Sequence, residues 1–218
     1  MGKKIALLND WYFSSKYEAG MESDHSLKGM VPVQLPHTNV ELPYHYFSEA
    51  AFQTISCYEK IFKSPELSEN QILRIRFEGV MAWAKVYLNN VYLGEHLGGY
   101  TPFSFEIQEI VKEHEDNFLT VVVDSTERPD VPPFGGVIDY LTYGGIYREV
   151  YLEIFEPLFI NNVKAEAIDV LKPVKGLKLD IFTDNRIEKV WVETEVNITL
   201  SDLSGWVMAE KSESIVIE

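Results

Sequence analysis

One acidic residue stands ahead of a glycine pair in the stretch DYLTYGGIYREVYLEI, which begins at Asp139. Gly144 and Gly145 allow the backbone to approach a neighbour closely. We interpret them, together with Arg148 on the strand predicted to follow, as a structural corner at which Arg148 pairs with a carboxylate or caps carbonyl groups. Asp139 lies in the loop before this corner, so its carboxylate either contacts a ligand or caps local amides in an Asx turn.

The positions of the histidines do not favour a catalytic or metal-binding site. His96 has Glu95 as its neighbour, and on a strand the two side chains would point to opposite faces. His37 and His45 are separated by Pro43, so no helical face holds them together. We expect these histidines to be packed or hydrogen-bonded structural residues.

The elements that position the corner are predicted to be β-strands. Aromatic residues make up 13% of the chain, which favours β structure, and surfaces that face carbohydrate or form an interface, over helices. Six short runs after Ser56 combine alternating polarity with β-branched and aromatic residues, and they predict a β-sandwich of jelly-roll type. The runs are CYEKIFKS, ILRIRFEGV, AKVYLNNVYLGEH, PFSFEI, FLTVVVDS and REVYLEIF.

Two local features stand out within these runs. Asn89 and Asn90 tolerate positive φ and predict a two-residue hairpin turn. The segment IQEIVKEHED is the one predicted helix, with Ile107, Ile110 and Val111 on one face.

A second series of longer, more polar strands follows Pro157. We therefore predict two domains, a jelly-roll domain over residues 1–156 and an immunoglobulin-like β-sandwich over residues 157–218. Four strands are predicted after Pro157, fewer than the roughly seven of such a sandwich, so we expect the second domain to be truncated in this chain.

Charge and cysteine content exclude several classes of function. The net charge of -15, from 19 basic and 34 acidic residues, disfavours binding to nucleic acid or to an anionic membrane. The single cysteine, Cys57, excludes an internal disulfide and a zinc site built from several cysteines. Because the apolar run near the start is broken by Asn9 and Asp10, we expect no signal peptide and a cytoplasmic location.

The order of four motifs resembles the N-terminal part of glycoside hydrolase family 2, which includes β-galactosidases, β-glucuronidases and β-mannosidases. The motifs are VPVQLPHTN, CYEKIF, FEGVMAWAKVYLNNVYLGEHLGGYTPFSFEI and YGGIYREVYLEI. The resemblance implies a jelly-roll, galactose-binding-domain-like sandwich followed by an immunoglobulin-like one. It also implies that Asp139 reaches from the first domain into the active site, contacts sugar hydroxyls and helps to coordinate a sodium ion. At the place of a family asparagine that contacts the substrate, this sequence has Gln53.

The resemblance places catalysis outside this chain. Retaining glycosidases need two carboxylates, and in this family both are glutamates of a (β/α)8 barrel that follows the sandwiches, one of them in an Asn-Glu dipeptide. The sequence contains no Asn-Glu dipeptide and no alternating βα pattern. We therefore expect no catalytic residue here and no activity from the chain alone.

Two functions remain open at the level of sequence. In the first, the chain belongs to a retaining exo-β-glycosidase, foremost a β-galactosidase, whose barrel lies in the same polypeptide and which binds terminal β-galactosides, sodium or magnesium, and further copies of itself. In the second, the chain is a stand-alone carbohydrate-binding or interaction module. That module would need a flat aromatic platform, for which Trp83, Tyr140 and Tyr143 are the candidates.

Overall fold

The computed structural model describes residues 2–41, 45, 48–132, 134, 142–187 and 191–217. These residues form an all-β fold, as predicted, with one short 3₁₀ helix at Glu49–Phe52. The strands are β1 Lys3–Ala6, β2 Trp11–Ser14, β3 Val31–Val33, β4 Ile55–Lys63, β5 Ile72–Phe77, β6 Trp83–Leu88, β7 Val91–Leu97, β8 Phe103–Glu106, β9 Asp116–Asp124, β10 Val150–Phe155, β11 Leu158–Ile168, β12 Gly176–Asn185, β13 Val192–Ser201 and β14 Val207–Ile217.

The chain divides into two compact units. The larger contains Lys3–Ser68 and Ile72–Ile154, and the smaller contains Phe155–Glu218 with Met1–Gly2 and Glu69–Gln71. No helix in the described part of the chain is long and apolar enough to span a membrane.

The larger unit is a sandwich of two antiparallel sheets. Their strand orders are β1-β10-β5-β8 and β3-β2-β4-β9-β6-β7. Period-two alternation directs one side of each strand into the core, which is why Trp11, Tyr58, Phe77 and Leu152 are at most 1% exposed. The β-sandwich predicted from the alternating runs is confirmed.

The predicted hairpin is also confirmed. β6 and β7 pair in antiparallel fashion around Asn89 and Asn90, whose φ angles are 50° and 70°. Two successive residues with positive φ make a type I′ turn, whose twist matches that of the flanking strands.

The predicted helix is wrong. Only one turn forms, closed by a hydrogen bond from the Val111 N–H to the Ile107 carbonyl at 3.0 Å. His114 then adopts a φ of 60°, which ends any helical path. The side chain of Asn117 takes over the backbone of this segment, because it accepts from the Lys112 N–H at 2.7 Å and donates to the Lys112 carbonyl at 2.9 Å. A buried polar side chain thus replaces the helical hydrogen-bond ladder.

The smaller unit consists of two β-hairpins. β11 pairs with β12 and β13 with β14, each as a separate two-stranded sheet among the described residues. Apolar side chains of β12, β13 and β14 line an open cleft of about 1140 Å³, among them Leu179, Ile181, Ile198 and Ile215. The immunoglobulin-like identity of this unit stays a prediction.

Candidate functional site

The glycine pair forms a corner that backbone hydrogen bonds hold on two sides. The Asn39 N–H donates to the Gly144 carbonyl at 2.9 Å. Gly145 and Met81 exchange both of their backbone hydrogen bonds, at 3.0 and 3.1 Å, in an isolated antiparallel bridge. The corner is therefore attached to two segments that are distant in sequence.

Both positions of the corner require glycine for steric reasons. A Cβ atom on Gly144 would lie 2.0 Å from Ser125 Oγ. Gly145 has a φ of 113°, and a Cβ atom there would lie 2.6 Å from Tyr58 Oη and 2.7 Å from the His37 carbonyl oxygen. The interior at this end of the sandwich is filled up to the glycine backbone.

An uncharged pair of side chains, His37 and Tyr58, packs beside the corner. His37 Nδ1 and Tyr58 Oη lie 2.9 Å apart, and the His37 ring packs at 4.7 Å from the ring of Phe13. Burial lowers the pKa of His37 and raises the pKa of Tyr58, because both charged forms would lose solvation there. His37 thus packs and hydrogen-bonds, as does His96, which is stacked on Phe103 and bonded to Thr101 Oγ1 at 3.0 Å.

Gln53 is engaged with the protein itself. It follows the 3₁₀ helix, is half-buried, and its Oε1 accepts a hydrogen bond from the Glu127 N–H. Next to it, the Ser125 N–H donates to the Thr54 carbonyl at 2.9 Å. Gln53 therefore ties its loop to the segment that runs from β9 towards the loop of Asp139.

That segment begins with an ordered turn. Asp124 Oδ1 accepts from the Thr126 N–H at 2.9 Å and from Thr126 Oγ1 at 2.6 Å. Arg128 then forms a bidentate pair with Asp130, at 3.0 Å from Nε and 2.9 Å from Nη2. Local carboxylates thus organise the entry into the loop.

Trp83 is not a free stacking platform. The guanidinium of Arg128 and the ammonium of Lys85 each lie 4.5 Å from the centre of its ring. A sugar ring that stacked on Trp83 would have to compete with these cations. Tyr143 is exposed, and its ring centre lies 6.1 Å from that of Phe52.

Arg148 makes contacts that agree with capping of carbonyl groups. Its Nη1 lies 3.5 Å from the Glu78 carbonyl oxygen and 3.4 Å from that of Tyr100, and the guanidinium lies 5.2 Å from the ring centre of Tyr147. The side chain is exposed. Arg148 was expected on the strand, but β10 begins only at Val150, because the corner continues for several residues after Gly145.

Sequence reasoning missed Asn39 and Ser125 as partners of the corner. Asn39 is 5% exposed, and its Nδ2 lies 3.4 Å from the Phe52 carbonyl oxygen. Its Oδ1 is buried and has no hydrogen-bond partner among the residues that the structure describes. Ser125 Oγ donates to the Met81 carbonyl at 3.1 Å. The only signal in the sequence was the position of Asn39 at the end of the VPVQLPHTN motif.

Asp139 and Tyr140 lie outside the described residues, so the substrate and sodium roles of Asp139 stay predictions. The structure does fix both ends of their loop, at Ser125 and at Gly144. Within the residues that are described, no group of three or more His, Cys, Asp or Glu side chains could hold a metal ion.

Comparison with known proteins identifies this sandwich. Residues 22–155 match the family described as glycosyl hydrolases family 2, sugar binding domain. A β-galactosidase of Thermoanaerobacterium thermosulfurigenes is 51% identical over 186 residues, which are 85% of this chain and 26% of that protein. A β-galactosidase of Rhizobium meliloti is 33% identical over 95% of this chain and 27% of its own length. A β-glucuronidase of Bacteroides fragilis is 33% identical over 72% of this chain and 21% of its own length.

Solved structures share the fold. A β-glucuronidase of Bacteroides uniformis superposes with a TM-score of 0.81 over 100% of this chain and 26% of its own, at 20% identity. A β-glycosidase of Bacteroides vulgatus gives 0.79 over 98% of this chain and 28% of its own, at 23% identity.

These findings define a sugar-binding β-sandwich of the kind found in glycosidases. Because the family match covers more than half of its length, the chain belongs to glycoside hydrolase family 2. The membership inferred from the order of the motifs is thereby confirmed. The chain spans about a quarter of the length of the β-galactosidases compared above, 26% and 27%.

Proposed function

We propose that this chain is the non-catalytic sugar-binding part of a retaining exo-β-galactosidase. The observation that carries the proposal is the family match over residues 22–155, joined to 51% identity with a relative described as a β-galactosidase. Two catalytic carboxylates come from a barrel elsewhere in the same polypeptide, and the sandwich braces that barrel.

The role proposed for the corner is to present the loop of Asp139 to the terminal sugar. Ser125 and Gly144 are packed against each other, so the loop leaves and rejoins the sandwich at one place. A loop fixed at both ends on a rigid sheet is a common carrier of binding residues. A carboxylate there accepts hydrogen bonds from sugar hydroxyls, each contributing roughly 1.5–3 kcal/mol when one partner is charged.

The charge of the loop favours a neutral sugar over a glucuronide. Asp139 is an acidic side chain, and a glucuronide carries a carboxylate of its own. Two like charges in one site repel each other unless a cation lies between them. This argument concerns the site alone, since the net charge of -15 is spread over a screened surface.

Substitution of Asp139 in the full-length enzyme tests the proposal. In Asp139→Asn, the amide keeps the size of the side chain and removes its charge. We expect kcat/KM for a nitrophenyl β-galactoside to fall by about 10- to 100-fold, which corresponds to roughly 1.4–2.8 kcal/mol, while the melting temperature stays unchanged. Steady-state kinetics and differential scanning fluorimetry measure the two quantities.

Asp116→Asn is the matched control, because Asp116 is an exposed aspartate at the end of β9 away from this loop and is paired with Lys63 at 3.0 Å. It should leave kcat/KM unchanged. Early melting of Asp139→Asn with normal kinetics would show that Asp139 caps a turn. Hydrolysis of the glucuronide in place of the galactoside would refute the assigned substrate, and millimolar or tighter binding of galactose by the isolated chain in calorimetry would favour a stand-alone module.

A further inference from the structure

Residues 15–30, here called the strap, lie across the outer face of the six-stranded sheet. They connect β2 to β3 through a series of turns. The strap is attached near its start, where the Tyr17 N–H donates to the Ile55 carbonyl at 2.7 Å and Thr54 Oγ1 donates to the Ser15 carbonyl at 3.0 Å.

The strap buries polar side chains of β4. Tyr58 and Phe62 of this strand belong to the core of the sandwich, so Cys57 and Glu59 point to the opposite face of the sheet. A strand face turned away from the core would ordinarily be solvated, yet Cys57 is 0% and Glu59 is 1% exposed. The strap is the part of the chain that reaches Glu59 there, through His25.

His25 is held on three sides. Its Nδ1 lies 2.9 Å from Glu59 Oε1, its Nε2 lies 2.7 Å from Asn90 Oδ1, and its ring is stacked on that of Phe118 at 4.2 Å. It thus joins the strap to β4, β9 and the turn between β6 and β7. The His25 side chain is 18% exposed.

The two hydrogen bonds of His25 fix the number of protons in the pair. Asn90 Oδ1 is an acceptor, so Nε2 must carry a hydrogen. A neutral imidazole has only one N–H, and Nδ1 then presents a lone pair to Glu59. The 2.9 Å contact is attractive only if a further proton lies between Nδ1 and Oε1, whether it belongs formally to His25 or to Glu59.

We propose that the His25–Glu59 pair is a proton-dependent latch that holds the strap against the sheet and releases it as the pH rises. With the shared proton, the charges of the buried His25–Glu59 pair sum to zero. Without this proton, the buried Glu59 carboxylate faces the lone pair of His25 Nδ1. The desolvated charge and the repulsion between the two atoms then both disfavour the state in which the strap lies on the sheet. The latch does not depend on the proposed function.

Among the described residues, the other titratable groups on this face make no hydrogen bond to the Glu59 side chain. The strap contributes Tyr17, Glu22 and Asp24, and Glu22 already accepts from Tyr17 Oη at 2.8 Å. From β2 comes Tyr12, which lies opposite Glu59 in the strand register, and from β4 and β6 come Cys57 and Tyr87. β9 presents Phe118 and Thr120 on this face, which do not titrate.

The direction of the pH dependence follows from proton linkage. Burial raises the pKa of Glu59, so the closed state keeps its proton above the ordinary range of a glutamate. The resulting stabilisation is complete below the ordinary pKa and is lost as the pH rises through the raised one. Well above about pH 6.5, a solvated histidine is neutral and a solvated glutamate is ionised, so opening of the strap there releases one proton.

Cys57 reports opening, because it is the single cysteine of the chain and lies buried on the covered face. Burial raises the pKa of its thiol to about 12, so a thiol reagent reacts with the open state. The alkylation rate is measured from about pH 6.5 to pH 9 and divided by the rate of the unfolded chain at each pH, which removes the titration of the free thiol. We expect the normalised rate to rise by up to tenfold per pH unit, the limit for release of one proton.

Two variants separate the latch from general loosening. In Glu59→Gln the amide donates to Nδ1 without a titrating proton, so the slope should disappear. In the control Glu22→Gln, which weakens the bond of the strap to Tyr17, the rate should rise at every pH with an unchanged slope. Equal slopes in the wild type and Glu59→Gln, or a flat wild-type profile, would overturn the proposal.

Hydrogen exchange gives a second measurement that does not depend on the cysteine. The Tyr17 amide is bonded to the Ile55 carbonyl, so its protection factor reports attachment of the strap. Its protection should fall with pH in the wild type and stay constant in Glu59→Gln. An unchanged protection factor across this pH range in the wild type would contradict the latch even if Cys57 reacted.

Discussion

At the scale of single residues, Gly145 is the most constrained position of the corner. Its φ of 113° lies in a region that L-residues rarely adopt, and the space where a Cβ atom would lie is occupied by Tyr58 Oη and the His37 carbonyl. Neither neighbour can withdraw easily, since Tyr58 is 0% exposed and the carbonyl belongs to the backbone. Backbone strain and steric overlap therefore act together at this position.

Gly145→Ala should destabilise the chain strongly. Strain in the left-handed region and overpacking each contribute roughly 1–3 kcal/mol, so we expect a loss of about 2–6 kcal/mol in the free energy of unfolding. Urea denaturation measures it. The control is Gly20→Ala, because Gly20 has a φ of 101° but nothing within 4 Å of its Cβ position. A loss at Gly145 no larger than that at Gly20 would show that the corner relaxes freely.

The residues of the corner also show what a sequence can predict at this scale. The adjacent glycines predicted a close backbone approach, and the structure has one. The groups that they approach, Ser125, Tyr58 and Asn39, are distant in sequence and carry no local pattern. For the same reason the sequence could align Gln53 with a sugar contact but could not show that its Oε1 is bonded to the Glu127 N–H.

At the scale of elements, the segment before β9 is organised by one asparagine. Asn117 is 0% exposed, and it bonds both backbone groups of Lys112 and accepts from Asn89 Nδ2 at 2.8 Å. It thereby joins this segment to the turn between β6 and β7. The Asn117 side chain here makes the backbone hydrogen bonds that a helical turn would otherwise make.

Asn117→Ala should leave several buried polar groups without partners. Each such group costs roughly 1–3 kcal/mol, so we expect a loss of about 2–5 kcal/mol in the free energy of unfolding. The control is Asn162→Ala, because Asn162 is exposed and its Oδ1 accepts a hydrogen bond from the adjacent Val163 N–H. The effect of this control should stay within about 0.5 kcal/mol. Similar urea midpoints for both variants would contradict the role given to Asn117.

Strands were easier to predict than this segment. Alternation is a property of neighbouring residues, and it identified β4, β5, β6 and β9 directly. The apolar spacing of Ile107, Ile110 and Val111 suggested a helix by the same kind of reasoning. It failed because Asn117, six residues further along the chain than Val111, competes for the same backbone groups.

At the scale of the whole molecule, the two units differ in how completely their apolar side chains are buried. The larger unit fills the space between its sheets with residues such as Trp11 and Tyr58. The smaller unit instead leaves apolar side chains of β12 and β13 around an open cleft of about 1140 Å³. Such a surface should attract apolar ligands from solution.

This cleft predicts binding of anilinonaphthalene sulfonate by the folded chain. We expect enhanced dye fluorescence that Ile198→Glu largely removes, because the new charge lies on the cleft wall. The control Val163→Glu changes a 49% exposed residue of β11 that does not line the cleft, and it should leave the fluorescence unchanged. Fluorescence titration of the three proteins measures the effect, and equal signals from all of them would place the dye elsewhere.

The overall architecture was accessible from the sequence because the family motifs occur in a fixed order. The number of strands in the smaller unit followed from its alternating runs, and β11 to β14 are present. How the hairpins face a cleft could not be predicted, because nothing in the sequence specifies the packing of two separate sheets. The position of the strap on the sheet could not be predicted either, since its polar, turn-rich composition is that of an ordinary surface loop.

The pairing of β1 with β10 has a consequence for biosynthesis. Lys3 lies opposite Ile154, so the first strand of the larger unit finds its partner only after the last strand has been made. The ribosome must therefore release about 150 residues before this sheet can be completed. During that interval the nascent chain exposes the apolar faces of its central strands, which makes this domain a natural client of chaperones that act on emerging polypeptides.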